Sequence, residues 1–376
     1  MIGPKVSKAL LTHDSRIALI TQDSASAPYV KVLSIAGSFA AALSFACTGS
    51  CGQLRSLKMS DIAVLQVDAF TRNPFQGNPA GVVLAAAGLN ASQMQAISRE
   101  LNNSETAFFF PPEGDNHDVC VRFFTPTCEV PVCGHATIAG MYAYAVTRAI
   151  LPCTLRMKCR GGVFDIRVDK RGEEYFIYMT QGPPIFGGVL SQRTTTELVD
   201  ALGVTRSDLR NDCPVQVVST GHSKVIVPIR TAAAMNDIRP DMVRLARLSG
   251  KIGTNGFLVF TMEPPEQGTL CECRMFAPAI GIPEDPVTGN GNGPLGAYLA
   301  AHGLASSETG TLEFRALQGR VLGRPGRVRV LVRVENGRPR TVIIGDEAVI
   351  VFKTTLSLPT AHSTQLAESL EENVSL

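Results

Sequence analysis

RFFTPTCEVPVCGHATIAGMYAYA, residues 122–145, and RMFAPAIGIPEDPVTGNGNGPLGAYLA, residues 274–300, are two copies of one pattern. Each opens on an arginine leading a short apolar run with a central aromatic, and each carries a proline at its fifth position, Pro126 or Pro278. An irregular loop follows, then a triplet of small residue, glycine and polar residue, then an apolar helical run. The triplets are Cys133-Gly134-His135 and Thr288-Gly289-Asn290. Eight positions separate Pro126 from Gly134 and eleven separate Pro278 from Gly289, and the longer connection carries Glu284 and Asp285.

Working outward, further elements recur in the same order. VQVVSTGHSKVIVPI (215–229) parallels LQVDAF and GNPAGVVL (65–84), which sets Gly221-His222 opposite Gly77-Asn78. LARLSGKIGTNGFLVF (245–260) parallels ISRELNNSETAFFF (97–110), which sets Thr254-Asn255 opposite Glu105-Thr106. Matched elements in one order mean an internal duplication. With only two long copies, it predicts a pair of similar α+β domains rather than a solenoid. The expected boundaries are 59–185 and 186–356, with QGPPIFGG (181–188) as the connection and 357–376 as a tail. The last strand has the option of returning to the first domain.

Residues 1–58 stand apart, with six basic residues against Asp14 and Asp23, and strand signals are expected only from Ile62. VLSIAGSFAAALSFACTGSC (32–51) resembles the apolar part of a signal, yet lies late in the chain. The extension reads as a transit segment, an uncleaved anchor, or a non-native upstream region whose working start is Met59. The last is favoured, because MSDIAVLQVDAF leads straight into a first strand, and the extension is expected to be dispensable for folding.

The 376 residues exceed the usual single-domain size, and 45% hydrophobic with 18% charged residues describes a well-cored globular chain. A net charge of +2 with no basic block points away from nucleic acid, and toward small-molecule chemistry without a membrane role. Ten irregularly spaced cysteines read as reduced thiols in the cytoplasm, or in an organelle if the extension is a transit segment. No paired Cys-x-x-Cys or clustered histidine suggests a metal, and no cofactor is expected.

The duplicated loops each deliver a glycine at the start of a helix, where unpaired N–H groups suit a carboxylate. Cys133, Gly134, Thr288, Gly289 and Asn290 are therefore candidate binding residues, with Gly77 and Asn78 from the matched turn. A bland reading stands beside this: glycines permit tight turns, His135 fills one, and Asp285 caps one. Glu105 is the odd residue, since it precedes a strand bound for the core. Such a carboxylate either caps a turn or sits in a low-dielectric cleft where its pKa rises toward that of a useful base.

DAFTRNPFQGNPAGVVL, NNSETAFFF, RFFTPTCEVPVCGHATIAG and GIPEDPVTGNGNGPLGAYL together resemble the motifs of the PhzF-like, phenazine biosynthesis-like isomerase family, from about residue 61 to 352. The resemblance implies a diaminopimelate-epimerase fold: two pseudo-symmetric domains, each a barrel-like sheet around a central helix, with the active site between them. It implies that Glu105 is the general acid/base, with His135 and Asp285 as the other catalytic residues, and that the protein forms a homodimer. Asn290 stands where the phenazine enzyme has serine, and Cys133 where it has a small residue without a thiol, so the phenazine substrate itself does not carry over. The expected reaction is a cofactor-independent proton relocation on a small carboxylic acid. The alternatives are a racemase, epimerase or dehydratase of the same fold using Cys133 and Thr288, or a catalytically silent binding protein.

Overall fold

The computed structural model describes the backbone of residues 5–12, 16–22, 30–33, 59–306 and 309–359, and side chains within 61–306 and 309–358. The chain divides into two compact units, Met1–Ser56 and Leu57–Leu376. In the first, Lys5–Thr12, Arg16–Gln22 and Val30–Leu33 form a three-stranded antiparallel sheet. The expectation that strands begin only near Ile62 is therefore corrected. KVSKALLT and RIALITQ supply the Val, Leu, Ile and Thr that favour pleated backbone. Most of the apolar run 32–51 and the tail from residue 360 lie outside the described residues. No helix among the described residues is long and apolar enough to cross a membrane.

The second unit is built on one sheet whose backbone pairing repeats. It runs from Ala348–Pro359 through Met59–Ala69, Asn78–Val83, Thr106–Phe110, Val119–Phe124, Cys153–Cys159 and Gly162–Arg171 to Glu174–Thr180. Glu174–Thr180 pairs with Arg338–Asp346, and the sheet continues through Gly326–Glu335, Thr311–Gln318, Cys271–Ala277, Phe257–Thr261, Ser223–Ile229 and Gln216–Ser219 to Ile185–Val189. Read from its centre, either side gives the same series, with parallel pairs at the same two places: Asn78–Val83 with Thr106–Phe110 and Val119–Phe124 with Cys153–Cys159, against Ser223–Ile229 with Phe257–Thr261 and Cys271–Ala277 with Thr311–Gln318. Among the described residues six α-helices accompany it: α1 (Ala91–Leu101), α2 (Gly134–Thr147), α3 (Gln192–Leu202), α4 (Ala232–Asp237), α5 (Met242–Ile252) and α6 (Gly289–Ala301).

α2 and α6 are the apolar helices that follow the two triplets, and both are buried on nearly every side. A helix without a polar stripe has to be surrounded, and each half of the sheet curls around one of them. α1, α3 and α5 are amphipathic and lie on outer faces, with Asn90, Ser191 and Asp241 accepting from first-turn N–H groups as N-caps.

The two irregular loops turn out to be ordered. Glu129–Val130 pairs with Val119–Phe124, and Ile282–Asp285 pairs with Cys271–Ala277. The arginine leading each repeat folds back on a glutamate of its own loop. Arg122 makes two 2.8 Å bonds to Glu129, and Arg274 bonds Glu284 at 2.8 and 2.9 Å. Glu284 is thereby a clasp that fixes the backbone of its neighbour, Asp285. Two expected spans also shift. Ile185–Val189 is a strand, so the connection from 181 is shorter than expected, and the final strand runs on to Pro359 because Met59 and Ser60 still pair with it.

Candidate active site

Cys133 and Thr288 are the N-cap residues of α2 and α6, and neither side chain caps its helix. A threonine in this place ordinarily accepts from an N–H of the first turn. Here the Thr288 hydroxyl instead donates to Asp285 Oδ2, at 2.5 Å. Both helix starts thus keep their first-turn N–H groups and partial positive charge free of a side-chain cap. The two starts also touch. A Cβ on Gly134 would lie 2.8 Å from Asn290 Oδ1 and 3.4 Å from Asn290 N, so glycine is what allows the approach. Asn290 Oδ1 accepts from Gln181 Nε2 at 3.0 Å, and Gln181 Oε1 accepts from the Thr220 hydroxyl at 2.7 Å.

Glu105 lies immediately before the strand Thr106–Phe110, its backbone fixed by a 3.2 Å bond from Gly81 N–H to its carbonyl. The side chain is only 12% exposed, and Oε2 stands 3.4 Å from His135 Nε2. That oxygen is buried and has no hydrogen-bond partner among the described residues. Burial pushes the Glu105 carboxyl above its ordinary value, while the Ser104 hydroxyl and Cys133 thiol pull it part of the way back. His135 is buried, with Nδ1 3.4 Å from Cys133 Sγ and Nε2 3.2 Å from Ser104 Oγ. Burial also lowers the imidazole, against the pull of the Asp285 charge, which leaves a neutral ring at neutral pH. The Cys133 thiol is driven well up, first by burial and then by the charge of Glu105. It is a protonated thiol rather than a ready thiolate.

Glu105, Cys133 and His135 hold their ligand atoms within 4.8 Å of one another, a spacing a metal ion could use. A metal would first have to displace the tightly held thiol proton.

Asp285 faces this group from the second half. Its Oδ1 accepts from Asn78 Nδ2 at 2.7 Å, and its Oδ2 is occupied by Thr288. Burial raises this carboxyl too, opposed by His135 when its ring is protonated and helped by the Glu105 charge. Asp285 therefore acts on His135 through its field rather than through a direct hydrogen bond. Gln318, fully buried, ties the loop together: Nε2 donates to the Asp285 carbonyl at 2.9 Å and the Thr288 hydroxyl at 3.0 Å, while Oε1 accepts from Thr288 N–H at 3.2 Å and Asn292 Nδ2 at 2.9 Å.

Among the expected site residues, the structure thus gathers Glu105, Cys133, Gly134 and His135 from the first half with Asp285, Thr288, Gly289 and Asn290 from the second, and Asn78 joins through Asp285. Gly77 stands differently. Its φ of +63° and the 2.1 Å approach its Cβ would make to Ala69 O explain the glycine. Its N–H goes to Pro325 O and its carbonyl accepts from Arg324, so its backbone is already engaged within the protein. Ser104, Gln181, Gln318 and Lys224 were not foreseen. Ser104 adjoined a chosen residue and could have been found, whereas the two glutamines and the lysine carry no local signal.

The pairing also shifts one equivalence. Gly81 N–H bonds the Glu105 carbonyl and Val225 N–H bonds the Gly256 carbonyl, at 3.2 and 3.0 Å. With Gly81 on Val225, Glu105 corresponds to Gly256, and Asn255 to Ser104. The sequence comparison sets Thr254 opposite Glu105, two positions away.

Residues 67–354 match the family described as phenazine biosynthesis-like protein. An uncharacterised isomerase of Clostridium acetobutylicum is 47% identical over 293 residues, covering 78% of this chain and 97% of that one. The trans-2,3-dihydro-3-hydroxyanthranilate isomerase of Pseudomonas chlororaphis is 32% identical over 278 residues, covering 72% of this chain and 92% of its own length. A crystal structure of a Bacillus anthracis PhzF-family phenazine biosynthesis protein superposes with a TM-score of 0.71 at 30% identity, covering 79% of this chain and 99% of that one. A hydroxyproline epimerase of Agrobacterium vitis shares the fold alone, at 11% identity and a TM-score of 0.54, covering 81% of this chain and 94% of the other. The fold is accordingly that of the diaminopimelate epimerases, two pseudo-symmetric barrel-like halves each around a central helix. The chain belongs to the phenazine biosynthesis-like protein family, as an isomerase.

Proposed function

We propose that the protein moves a proton between positions of a small carboxylic acid, without a cofactor, and that Glu105 carries the proton. The observation that supports this reading is the buried Glu105 Oε2, which has no hydrogen-bond partner among the described residues and lies 3.4 Å from the neutral His135 ring. A base aimed at carbon needs an oxygen not already occupied by a donor, and a pKa raised from the carboxylate range. Glu105 takes a proton from one carbon as the electron pair enters the conjugated system, and the protonated carboxyl returns it to another carbon, so the enzyme ends as it began. The negative charge that builds on the substrate meets first-turn N–H groups of α2 and α6 and the His135 ring, donors fixed before the reaction starts.

The thiol alternatives fit less well. Cys133 is held protonated by burial, and the Thr288 hydroxyl is committed to Asp285. A two-base exchange through those positions would begin from the wrong protonation state.

The test is Glu105→Gln, assayed for deuterium incorporation from D2O into a panel of small amino and hydroxy acids, with melting temperature measured on the same sample. The reading expects an unchanged fold and exchange lowered by at least about a hundredfold. Near-normal exchange with a lowered melting point would make Glu105 a structural group and overturn the mechanism.

A further inference from the structure

The second half buries a cation that no acid neutralises at contact distance. Lys224 is 4% exposed. It lies on the strand Ser223–Ile229, whose side chains alternate between an outer core with Val225 and Val227 and an inner one with Ile226. Lys224 shares the inner face, toward α6. Its ammonium donates to Asn255 Oδ1 at 2.5 Å. Among the described residues no carboxylate forms an ion pair with it, and the acid that acts on it is Asp285, through its field. A buried charge usually has a partner, because removing it from water is costly. An ammonium with three donors and one amide acceptor is left with capacity that a bound anion would fill.

The duplication says where that capacity sits. Asn255 occupies in the second half the place that Ser104 holds in the first, and Ser104 bonds His135 beside Glu105. Where one half presents a carboxylate behind its serine, the other presents an amine on its asparagine. Lys224 itself stands where the first half has Ala80, and Glu105 where the second has Gly256, so each half brings one charge that the other lacks.

We propose that Lys224, held by Asn255, anchors the substrate's carboxylate from the second half, and that this contact selects acids over their neutral analogues. The assignment rests on the proton-relocation reading for the position of the substrate, but its chemistry is binding, and binding can be measured without turnover. An anchored carboxylate orients the carbon acid toward Glu105 and offsets the buried ammonium. It also makes recognition depend on one charge-assisted contact rather than on helix N-termini alone.

The experiment measures dissociation constants by calorimetry at pH 7 for 2-aminobenzoate, trans-4-hydroxyproline and glutarate, each beside its primary amide. The proteins are the full chain, Lys224→Met, Lys224→Arg and Glu105→Gln. The proposal expects at least one acid to bind the full chain, its amide to bind at least about tenfold more weakly, and Lys224→Met to erase that preference. Lys224→Arg, which keeps the charge, should retain the preference, and it stands as the working variant if the methionine protein does not fold. Acids binding Lys224→Met as tightly as the unaltered chain, amides binding as well as acids, or no acid binding at all would each overturn it. Glu105→Gln separates the two readings: it should keep the preference for acids whether or not it exchanges deuterium.

Discussion

Replacing Lys224 by methionine should stabilise the protein, in a way that depends on pH with a defined sign. Burial lowers the ammonium from 10.5 to about 8, with the Asp285 charge opposing. That difference corresponds to about 3 kcal/mol held against the folded state whenever the side chain is protonated in both states. Below about pH 8 the folded chain bears the whole cost. Between there and 10.5 the unfolded chain binds a proton that the folded chain has released, so stability rises with pH through that window and the cost is gone above it. Lys224→Met removes the group altogether. It should be more stable than the unaltered chain by about 2 kcal/mol at pH 7, the lost bond to Asn255 offsetting about 1 kcal/mol of the gain. The advantage should shrink steadily toward pH 10. His222, whose own pKa burial lowers, is the other titrating neighbour that Lys224 influences, and it changes charge on the acid side of this window. Urea unfolding of both proteins at pH 7, 8, 9 and 10 gives the difference directly, since groups common to both cancel. A variant less stable at every pH, or a gap that does not change between pH 7 and 10, would refute the reasoning.

The clasps should differ in strength. Arg274 and Glu284 have side chains 6% and 12% exposed, so Glu284→Gln leaves a buried guanidinium short of its partner and should cost about 3 kcal/mol in denaturant unfolding. The corresponding Glu129→Gln, beside an Arg122 that is 35% exposed, should cost less than about 1 kcal/mol, and equal losses would contradict the account. Gly134→Ala forces the Asn290 amide away from Gln181 and should slow deuterium exchange by about tenfold to a hundredfold while the melting temperature holds; a normal rate would mean the contact between helix starts is dispensable. Because Glu105 must be ionised to act and burial raises its carboxyl, the exchange rate should fall with decreasing pH at a midpoint above 4.5, and a midpoint at or below that value would remove it as the base.

The duplicated triplets were legible because each joins two strong local signals, a glycine and an apolar run without a polar stripe, and the second of these dictates a surrounded helix. From them followed the two halves, the meeting of Cys133, Gly134 and His135 with Thr288, Gly289 and Asn290, and the oddness of Glu105. What escaped the reading depends on distant pairing. Gln318 reaches Asp285 and Thr288 from a strand about thirty residues downstream, and nothing beside it in the chain marks that errand. Lys224 sits in SKVIVPI, where alternation marks a strand but cannot show that its inward position would receive an amine. Gly77 looked like a ligand-binding glycine and has a backbone reason of its own.

The strand that begins the catalytic unit pairs along its length with the strand that ends it, from Met59 with Pro359 to Ala69 with Ala348. The second half draws its strands from one continuous stretch, 185–346, whereas the first is completed by a strand made after all of them. During synthesis the first half therefore emerges early with an open edge along Met59–Ala69, and waits for nearly 280 residues before the strand that covers it leaves the ribosome. The order of assembly runs against the order of translation: the later half can close on itself first, and the earlier half closes on its tail. A nascent chain of this protein is exposed to edge-to-edge pairing for most of its synthesis, and any stop before residue 348 leaves that edge bare for good.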